Sequence, residues 1–206
     1  MIRAVISDFG GVLTTPLAEG MLAYQEEAGV SLEGLGKAMA RSTDEHGEHP
    51  LFELERGRIT EGEFQERIQP YLEDEFDLAH LRRLFFERIK PNRAMIDYLR
   101  ALRDRGLRLA LLTNNVREWE PLWRGNLPEI DEIFEVVVDS AFVGMRKPEP
   151  EIYELTLERL GGVQANECAF LDDLDVNCDA ARALGMAAIR FESTDQAIAA
   201  LDALLS

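Results

Sequence analysis

Four short stretches of this 206-residue chain carry polar side chains in the segments that follow apolar runs, and these runs predict buried strands. These side chains are Asp8 after the first run, Thr113 and Asn114 after the second, Lys147 in the loop system after the third, and Asp172 and Asp173 after the fourth. Open α/β sheets bind their ligands at the carboxyl ends of the strands. We therefore expect these side chains to converge at one edge of a sheet.

The expected cluster contains three carboxylates, which repel one another in a partly dry site unless a cation lies among them. Carboxylate and carbonyl oxygens suit Mg²⁺, which commonly binds one or two carboxylates and keeps water or substrate phosphate as its other ligands. Lys147 adds a fixed positive charge beside Asp8. Gly10 and Gly11 allow the backbone to approach a bound group closely.

Each of these stretches also has a simpler interpretation. Residues 113–115 are typical of turns and helix caps, Lys147 precedes a proline as many solvated lysines do, and two adjacent acidic residues favour a helix N-terminus. Caps alone do not explain why all of them follow predicted strands in this order. The combined pattern favours a ligand site.

The order of the predicted elements indicates an α/β fold. Strands are predicted at residues 4–6, 107–112, 134–139, 168–171 and 187–191. Helices alternate with these strands after residue 91, which predicts right-handed βαβ units and a doubly wound, Rossmann-like parallel sheet. In this stretch, Asn115 together with Glu118 is predicted to cap a helix.

The segment between the first two predicted strands is helical throughout. Helices are predicted at residues 17–28, 31–41, 60–71 and 78–88, with an exposed polar loop at residues 43–50. We therefore predict a core domain of residues 1–14 and 91–206 and an inserted α-helical cap domain of residues 15–90. A long insert that leaves from the ligand edge is well placed to cover it.

The composition limits the classes of partner. The chain has 22 Lys and Arg residues against 39 Asp and Glu residues, a formal net charge of -17, which opposes binding to nucleic acid and to anionic membranes. No apolar run approaches the roughly 20 residues that span a bilayer, and the first predicted strand leaves no room for a signal peptide. We expect a cytoplasmic protein, and its oligomeric state stays open.

The stretches DFGGVL, LLTNN, RKPEPEIY and FLDDLDVN resemble, in this order, the four motifs of the haloacid dehalogenase-like (HAD) hydrolase superfamily. The resemblance covers the whole predicted core, and the insert is similar to the helical C1 cap of that superfamily. The core is especially similar to those of glucose-1-phosphatase and the N-terminal phosphatase domain of soluble epoxide hydrolase. The resemblance implies a Mg²⁺-dependent phosphatase that acts on a small phosphorylated metabolite.

The resemblance also implies roles for single residues. Asp8 would attack phosphorus to give an aspartyl-phosphate, and Lys147 would neutralise charge between Asp8 and the phosphoryl group. Thr113 and Asn114 would hold phosphate oxygens. Gly11 and Asn115 are further candidate substrate contacts.

The same resemblance implies a set of metal ligands. Mg²⁺ would be bound by Asp8, the backbone carbonyl of Gly10 and Asp173, with Asp172 as a ligand directly or through water. Asn177 matches the spacing of the last motif and would orient its loop.

One position departs from the pattern of this superfamily. Most of its phosphatases carry a second Asp, a general acid and base, where this chain has Gly10. A positioned acid or base contributes about 10²- to 10⁴-fold in rate, so water, the substrate, His46 or His49 would have to supply the proton. Gly10 leaves two alternatives open: a metal-free 2-haloacid dehalogenase with Asp8 as nucleophile, and a weakly catalytic regulatory protein that binds phosphate esters.

Overall fold

The computed structural model of the chain describes residues 1–16 and 18–206. Five strands form one sheet: β1 (Ala4–Ser7), β2 (Arg108–Thr113), β3 (Val136–Asp139), β4 (Cys168–Asp172) and β5 (Ala187–Arg190). All neighbouring strands pair in parallel, in the order β3-β2-β1-β4-β5. The predicted α/β fold with a doubly wound parallel sheet is confirmed.

The central position of β1 places its carboxyl end at the middle of the ligand edge. All four of its residues are buried, as are all five of β4, because helices cover both faces of the sheet. Ser7 pairs with Leu111 of β2 and with Leu171 of β4, so the loops after these three strands leave the sheet side by side. The chain extends first to β2 and β3 and then returns to β4 and β5, which puts the topological switch point between β1 and β4.

Residues 18–90, between β1 and β2, form a helical insert in which the described residues make five α-helices. They are α1 (Ala18–Ala28), α2 (Leu32–His46), α3 (Pro50–Glu55), α4 (Glu61–Ile68) and α5 (Leu78–Arg88), with a 3₁₀ turn at Gln69–Tyr71. A capping box begins α4, because the Thr60 side chain accepts from the Glu63 N–H while the Glu63 side chain accepts from the Thr60 N–H. The insert has its own apolar cluster around Tyr24, Leu54 and Phe76, and this cluster also contacts Val116 after β2.

The remaining helices flank the sheet. They are α6 (Arg93–Asp104), α7 (Glu120–Asn126), α8 (Ile130–Ile133), α9 (Ser140–Val143), α10 (Pro150–Arg159), α11 (Asp175–Ala183) and α12 (Thr194–Leu205), with 3₁₀ turns at Arg117–Trp119 and Ala165–Glu167. One apolar cluster around Val5, Leu111 and Trp123 packs on one face of the sheet. A second cluster around Ile6 and Phe170 packs on the other face. None of the described helices has the length and apolar character needed to cross a membrane.

Two local predictions are wrong and one lies outside the described residues. The predicted loop at 43–50 is shorter, because α2 continues to His46, Gly47 ends it in the left-handed conformation and Pro50 begins α3. Asn115 does not cap a helix; its side-chain oxygen accepts from the Val116 N–H, and the following 3₁₀ turn has no side-chain cap. Leu17, the predicted start of the first helix, is not among the described residues.

Candidate active site

Asp8 is fixed at the carboxyl end of β1. Its backbone N–H donates to the Leu171 carbonyl at 2.8 Å, which extends the pairing between β1 and β4 by one residue beyond the strand. Three residues later, Gly11 has a φ of +75°, and a Cβ at that position would lie 2.5 Å from Oδ2 of Asp173. Glycine is therefore required there, both for the left-handed backbone and for the close approach of the Asp173 carboxylate.

Lys147 joins two of the motif loops through its ammonium group. Its Nζ donates to Oδ1 of Asp8 at 2.8 Å and to Oδ2 of Asp172 at 2.7 Å, and the residue is only 1% exposed. The side chain of Asn114 holds the backbone of Lys147 in place: its Nδ2 donates to the Lys147 carbonyl at 2.9 Å, and its Oδ1 accepts from the Lys147 N–H at 2.8 Å. The side-chain amide of Asn114 therefore positions the backbone of Lys147.

Asp172 is completely buried and accepts hydrogen bonds on both oxygens. Oδ1 accepts from the Leu174 N–H at 2.9 Å, and Nδ2 of Asn177 lies within 3.0 Å of Oδ1 and 3.1 Å of Oδ2. Asn177 is held in turn, because its carbonyl accepts from the Tyr153 hydroxyl at 3.0 Å. With Lys147 included, the carboxylate of Asp172 is saturated, which favours it as an anchor for Lys147 rather than as a direct metal ligand.

Asp173 completes a cluster of three carboxylates. One oxygen each of Asp8, Asp172 and Asp173 lies within 4.8 Å of the others. Burial raises the pKa of Asp8 to about 7; the charge of Lys147 lowers it, and Asp172 and Asp173 raise it. Burial, and then the charge of Asp172, also raises the pKa of Asp173.

The charge of Lys147 persists in the cluster, although burial by itself would lower the pKa of this lysine. The Asp172 and Asp8 carboxylates outweigh burial and raise that pKa. One ammonium against three carboxylates leaves a negative site with oxygen donors, which suits a hard divalent cation. The two carboxylates not saturated by hydrogen bonds, Asp8 and Asp173, together with the Gly10 carbonyl, fit Mg²⁺ best.

The other predicted site residues line the same cavity as Asp8 and Lys147, except Gly11 and the buried Asp172, which are not among its lining residues. Thr113 is 2% exposed at the end of β2, and the Asn115 N–H donates to the Ser140 hydroxyl at 3.0 Å. The cavity measures about 630 Å³, and its polar end is lined by Asp8, Gly10, Thr113, Asn115, Lys147 and Asp173. The structure thus brings the four motif loops together, with Asp172 buried beneath them.

Glu55 is a site residue that the sequence patterns do not reveal. It ends α3 in the insert and lines the cavity, and Nε of Arg146 donates to its Oε2 at 2.6 Å. Burial raises the pKa of Glu55, although the charge of Arg146 lowers it. The only sequence signal for this contact is the basic residue Arg146 directly before Lys147. The six residues of α3 do not indicate that Glu55 is its partner.

The two histidines considered as proton donors do not line the cavity among the described residues. His46 is exposed at the end of α2, and the ring of His49 stacks on Phe52 with centroids 4.3 Å apart. Burial lowers the pKa of His49. Neither histidine therefore takes the place of the acid that is missing at Gly10.

A family model for haloacid dehalogenase-like hydrolases matches residues 2–185. Bifunctional epoxide hydrolase 2 of Rattus norvegicus is 27% identical over 98% of this chain and 38% of that protein. Sesquiterpene phosphatase astK of Aspergillus oryzae is 29% identical over 89% of this chain and 87% of that protein. HAD family enzyme bt-2542 of Bacteroides thetaiotaomicron, solved in complex with magnesium and inorganic phosphate, has a TM-score of 0.68 and 23% identity over 92% of this chain and 94% of that chain.

The chain spans about a fifth to two fifths of the length of the first curated relatives that it matches. The family model nevertheless covers nearly the whole chain, and the four motif loops that suggested the superfamily meet at Asp8. The chain belongs to the haloacid dehalogenase-like hydrolases.

Proposed function

We propose that this hydrolase is a Mg²⁺-dependent phosphatase that cleaves a phosphorylated metabolite through an aspartyl-phosphate on Asp8. The observation that carries the proposal is the Lys147 ammonium, held 2.8 Å from Asp8 and 2.7 Å from Asp172 at the end of a cavity. Such a lysine presents positive charge where the oxygens of a phosphoryl group would lie. Phosphoryl transfer depends mainly on this kind of positioning and electrostatic stabilisation.

The reaction proceeds in two displacements at phosphorus. An oxygen of Asp8 forms a bond to phosphorus while the bond from phosphorus to the ester oxygen breaks, and the departing oxygen gains a proton. Water then attacks phosphorus, loses a proton and releases inorganic phosphate, which regenerates the Asp8 carboxylate. Lys147, the Thr113 hydroxyl and the Asn114 N–H stabilise the phosphoryl oxygens in both steps.

Mg²⁺ held by Asp8, Asp173 and the Gly10 carbonyl would supply further positive charge for the phosphoryl oxygens. Asp172 would act through Lys147 and Asn177, whose side chains it binds. The phosphatase named among the relatives, and the magnesium and phosphate in the similar bacterial structure, support this proposal.

We also propose the division of the chain into a core of residues 1–14 and 91–206 and a cap of residues 15–90. Contacts between the insert and the core support it as a cover for the site: Arg146 binds Glu55, Arg56 binds Glu149, and the Ser140 hydroxyl donates to the Glu55 carbonyl at 2.6 Å. A cytoplasmic location remains a prediction from the sequence.

Two other activities compete for the same site. A 2-haloacid dehalogenase would bring a carboxylate substrate against Asp8, Asp172 and Asp173, and this cluster disfavours it by charge repulsion. A regulatory protein that binds phosphate esters without turnover is favoured only by Gly10, which has no side chain to move a proton.

Phosphate release from a panel of phosphate monoesters, with Mg²⁺ and with EDTA, separates these activities. The protein is compared with Asp8→Asn and with Asp179→Asn, a control at a carboxylate that is 72% exposed. We expect metal-dependent release that Asp8→Asn abolishes and the control retains. Halide release from 2-haloacids in EDTA would overturn the proposal in favour of a dehalogenase, and tight ester binding without turnover would overturn it in favour of a binding protein.

A further inference from the structure

The cavity next to Asp8 is far larger than a phosphate group requires. It measures about 630 Å³ and extends from the carboxyl ends of β1 and β2 into the helical insert. Protein interiors are close-packed, and voids larger than a few waters are uncommon in them. A cavity of this size is in the range of sites that enclose a whole small ligand.

The two ends of this cavity differ in chemistry. Asp8, Lys147 and Asp173 lie at the core end. The end inside the insert is apolar, with walls that include Met21, Leu35, Leu51, Phe64, Phe85 and Trp119. Among the described lining side chains that come from α1 to α5, Glu55 is the one that is charged or polar, and it is bound to Arg146.

Such walls discriminate against a polar leaving group. The hydroxyls of a sugar or a nucleoside would lose their hydrogen bonds to water and find, among the described lining side chains of the insert helices, only the Glu55 carboxylate, which is already bound to Arg146. An apolar chain would gain transfer free energy with each methylene that it buries. Met21 and Met39 line the cavity with flexible thioethers, which adapt to chains of different shape.

We propose that the natural substrate is the monophosphate of an apolar alcohol with a long hydrocarbon chain. This inference rests on the phosphatase function proposed above. The phosphate lies at Lys147 and the chain lies among the apolar side chains of the insert, so that the amphiphilic substrate matches the two ends of the cavity. Hydrolysis adds water across the phosphorus–oxygen bond and yields the apolar alcohol and inorganic phosphate.

A series of alkyl monophosphates tests this inference directly. We expect kcat/KM, measured with Mg²⁺ below the micelle concentration of each ester, to rise about fourfold per added methylene until the cavity is filled. Glucose phosphates and nucleoside monophosphates should be poorer substrates than octyl phosphate by at least about 100-fold. Equal or better hydrolysis of the sugar phosphates, or no dependence on chain length, would overturn the inference and leave the phosphatase function intact.

Binding of alkylphosphonates, measured by calorimetry, tests the apolar cavity without turnover. Affinity that rises with chain length supports the part of the inference that concerns the apolar chain; if no ester is hydrolysed, the phosphatase function fails and the same compounds are ligands rather than substrates. Affinity independent of chain length overturns the inference.

Two neighbours on α1 provide a matched pair of variants. Met21 lines the cavity, whereas Leu22 is 50% exposed and lies outside it. The measured quantity is kcat/KM for octyl phosphate divided by kcat/KM for ethyl phosphate. Met21→Gln should lower this ratio about tenfold, because the new amide would be buried against the alkyl chain of the substrate without a hydrogen-bond partner. Leu22→Gln should leave the ratio unchanged. Leu32→Gln, at a lining residue that is 39% exposed, repeats the test at a site where folding tolerates polarity. An unchanged ratio in both lining variants would contradict the inference.

Discussion

Replacement of Lys147 by methionine removes the cation that Asp8 and Asp172 share, and we expect it to lower the free energy of unfolding by about 4 kcal/mol. Lys147 is 1% exposed and contacts Asp8 and Asp172 at 2.8 and 2.7 Å. At these distances each charge pair is worth about 6 kcal/mol at an effective dielectric constant of about 20. Desolvation offsets much of this gain, and removal of one partner from a buried pair costs about 3 to 5 kcal/mol.

Equilibrium unfolding in guanidinium chloride, with EDTA present, measures this loss. Lys37→Met is the matched control, because Lys37 pairs with Glu33 at 2.5 Å on the surface, with the two side chains 71% and 78% exposed. That control should change stability by no more than about 0.5 kcal/mol. The double variant Lys147→Met with Asp172→Asn should lose at least about 1 kcal/mol less than the sum of its single variants. A Lys147→Met protein within about 1 kcal/mol of the unsubstituted one would refute the electrostatic account of the site.

Three further perturbations test other parts of the account. Gly11→Ala should lower kcat/KM about 100-fold, because the new Cβ would lie 2.5 Å from Asp173 Oδ2. Gly36→Ala is the control and should leave activity unchanged, because no atom lies within 4 Å of its new Cβ. Equal activities of the two variants would contradict the requirement for glycine at position 11. Burial raises the pKa of Asp139 to about 6, so between about pH 4 and pH 6 the folded protein keeps a proton on this carboxyl that the unfolded chain has lost. The free energy of unfolding, relative to that of Asp139→Asn, should therefore fall by up to about 3 kcal/mol as the pH rises from about 4 to 7. Urea unfolding of both proteins across that pH range measures this change. A difference in free energy of unfolding that stays constant with pH would contradict the raised pKa of Asp139. Gly10→Asp should raise kcat about tenfold or more by restoring a positioned acid, and complete loss of turnover would indicate a different proton path.

The sequence predicts the parts of this molecule that depend on local patterns. Apolar runs that end in polar residues mark the strands around Asp8 and Asp172, and the sheet topology then brings their loops together. The four motif stretches lie where the resemblance to the superfamily implied. These features are predictable because strand periodicity and loop position are both local properties.

Contacts between residues far apart in the sequence cannot be predicted from such local patterns. Asn114 binds the backbone of Lys147 from 33 positions away, so its use as a positioning group is visible only once the loops have packed. Glu55 ends a short helix that follows the loop predicted at residues 43–50, and its contact with Arg146 spans 91 positions. The apolar character of the cavity arises from several helices at once, and no single segment of the insert indicates it.

The central claim is that Asp8 attacks phosphorus and carries the phosphoryl group. Acid quenching during turnover of a phosphate monoester with Mg²⁺, followed by intact-protein and peptide mass spectrometry, tests this claim most directly. We predict an adduct with the mass of one phosphoryl group on the peptide that contains Asp8, absent from Asp8→Asn. Turnover at full rate in Asp8→Asn, or an adduct on any other residue, would contradict the account.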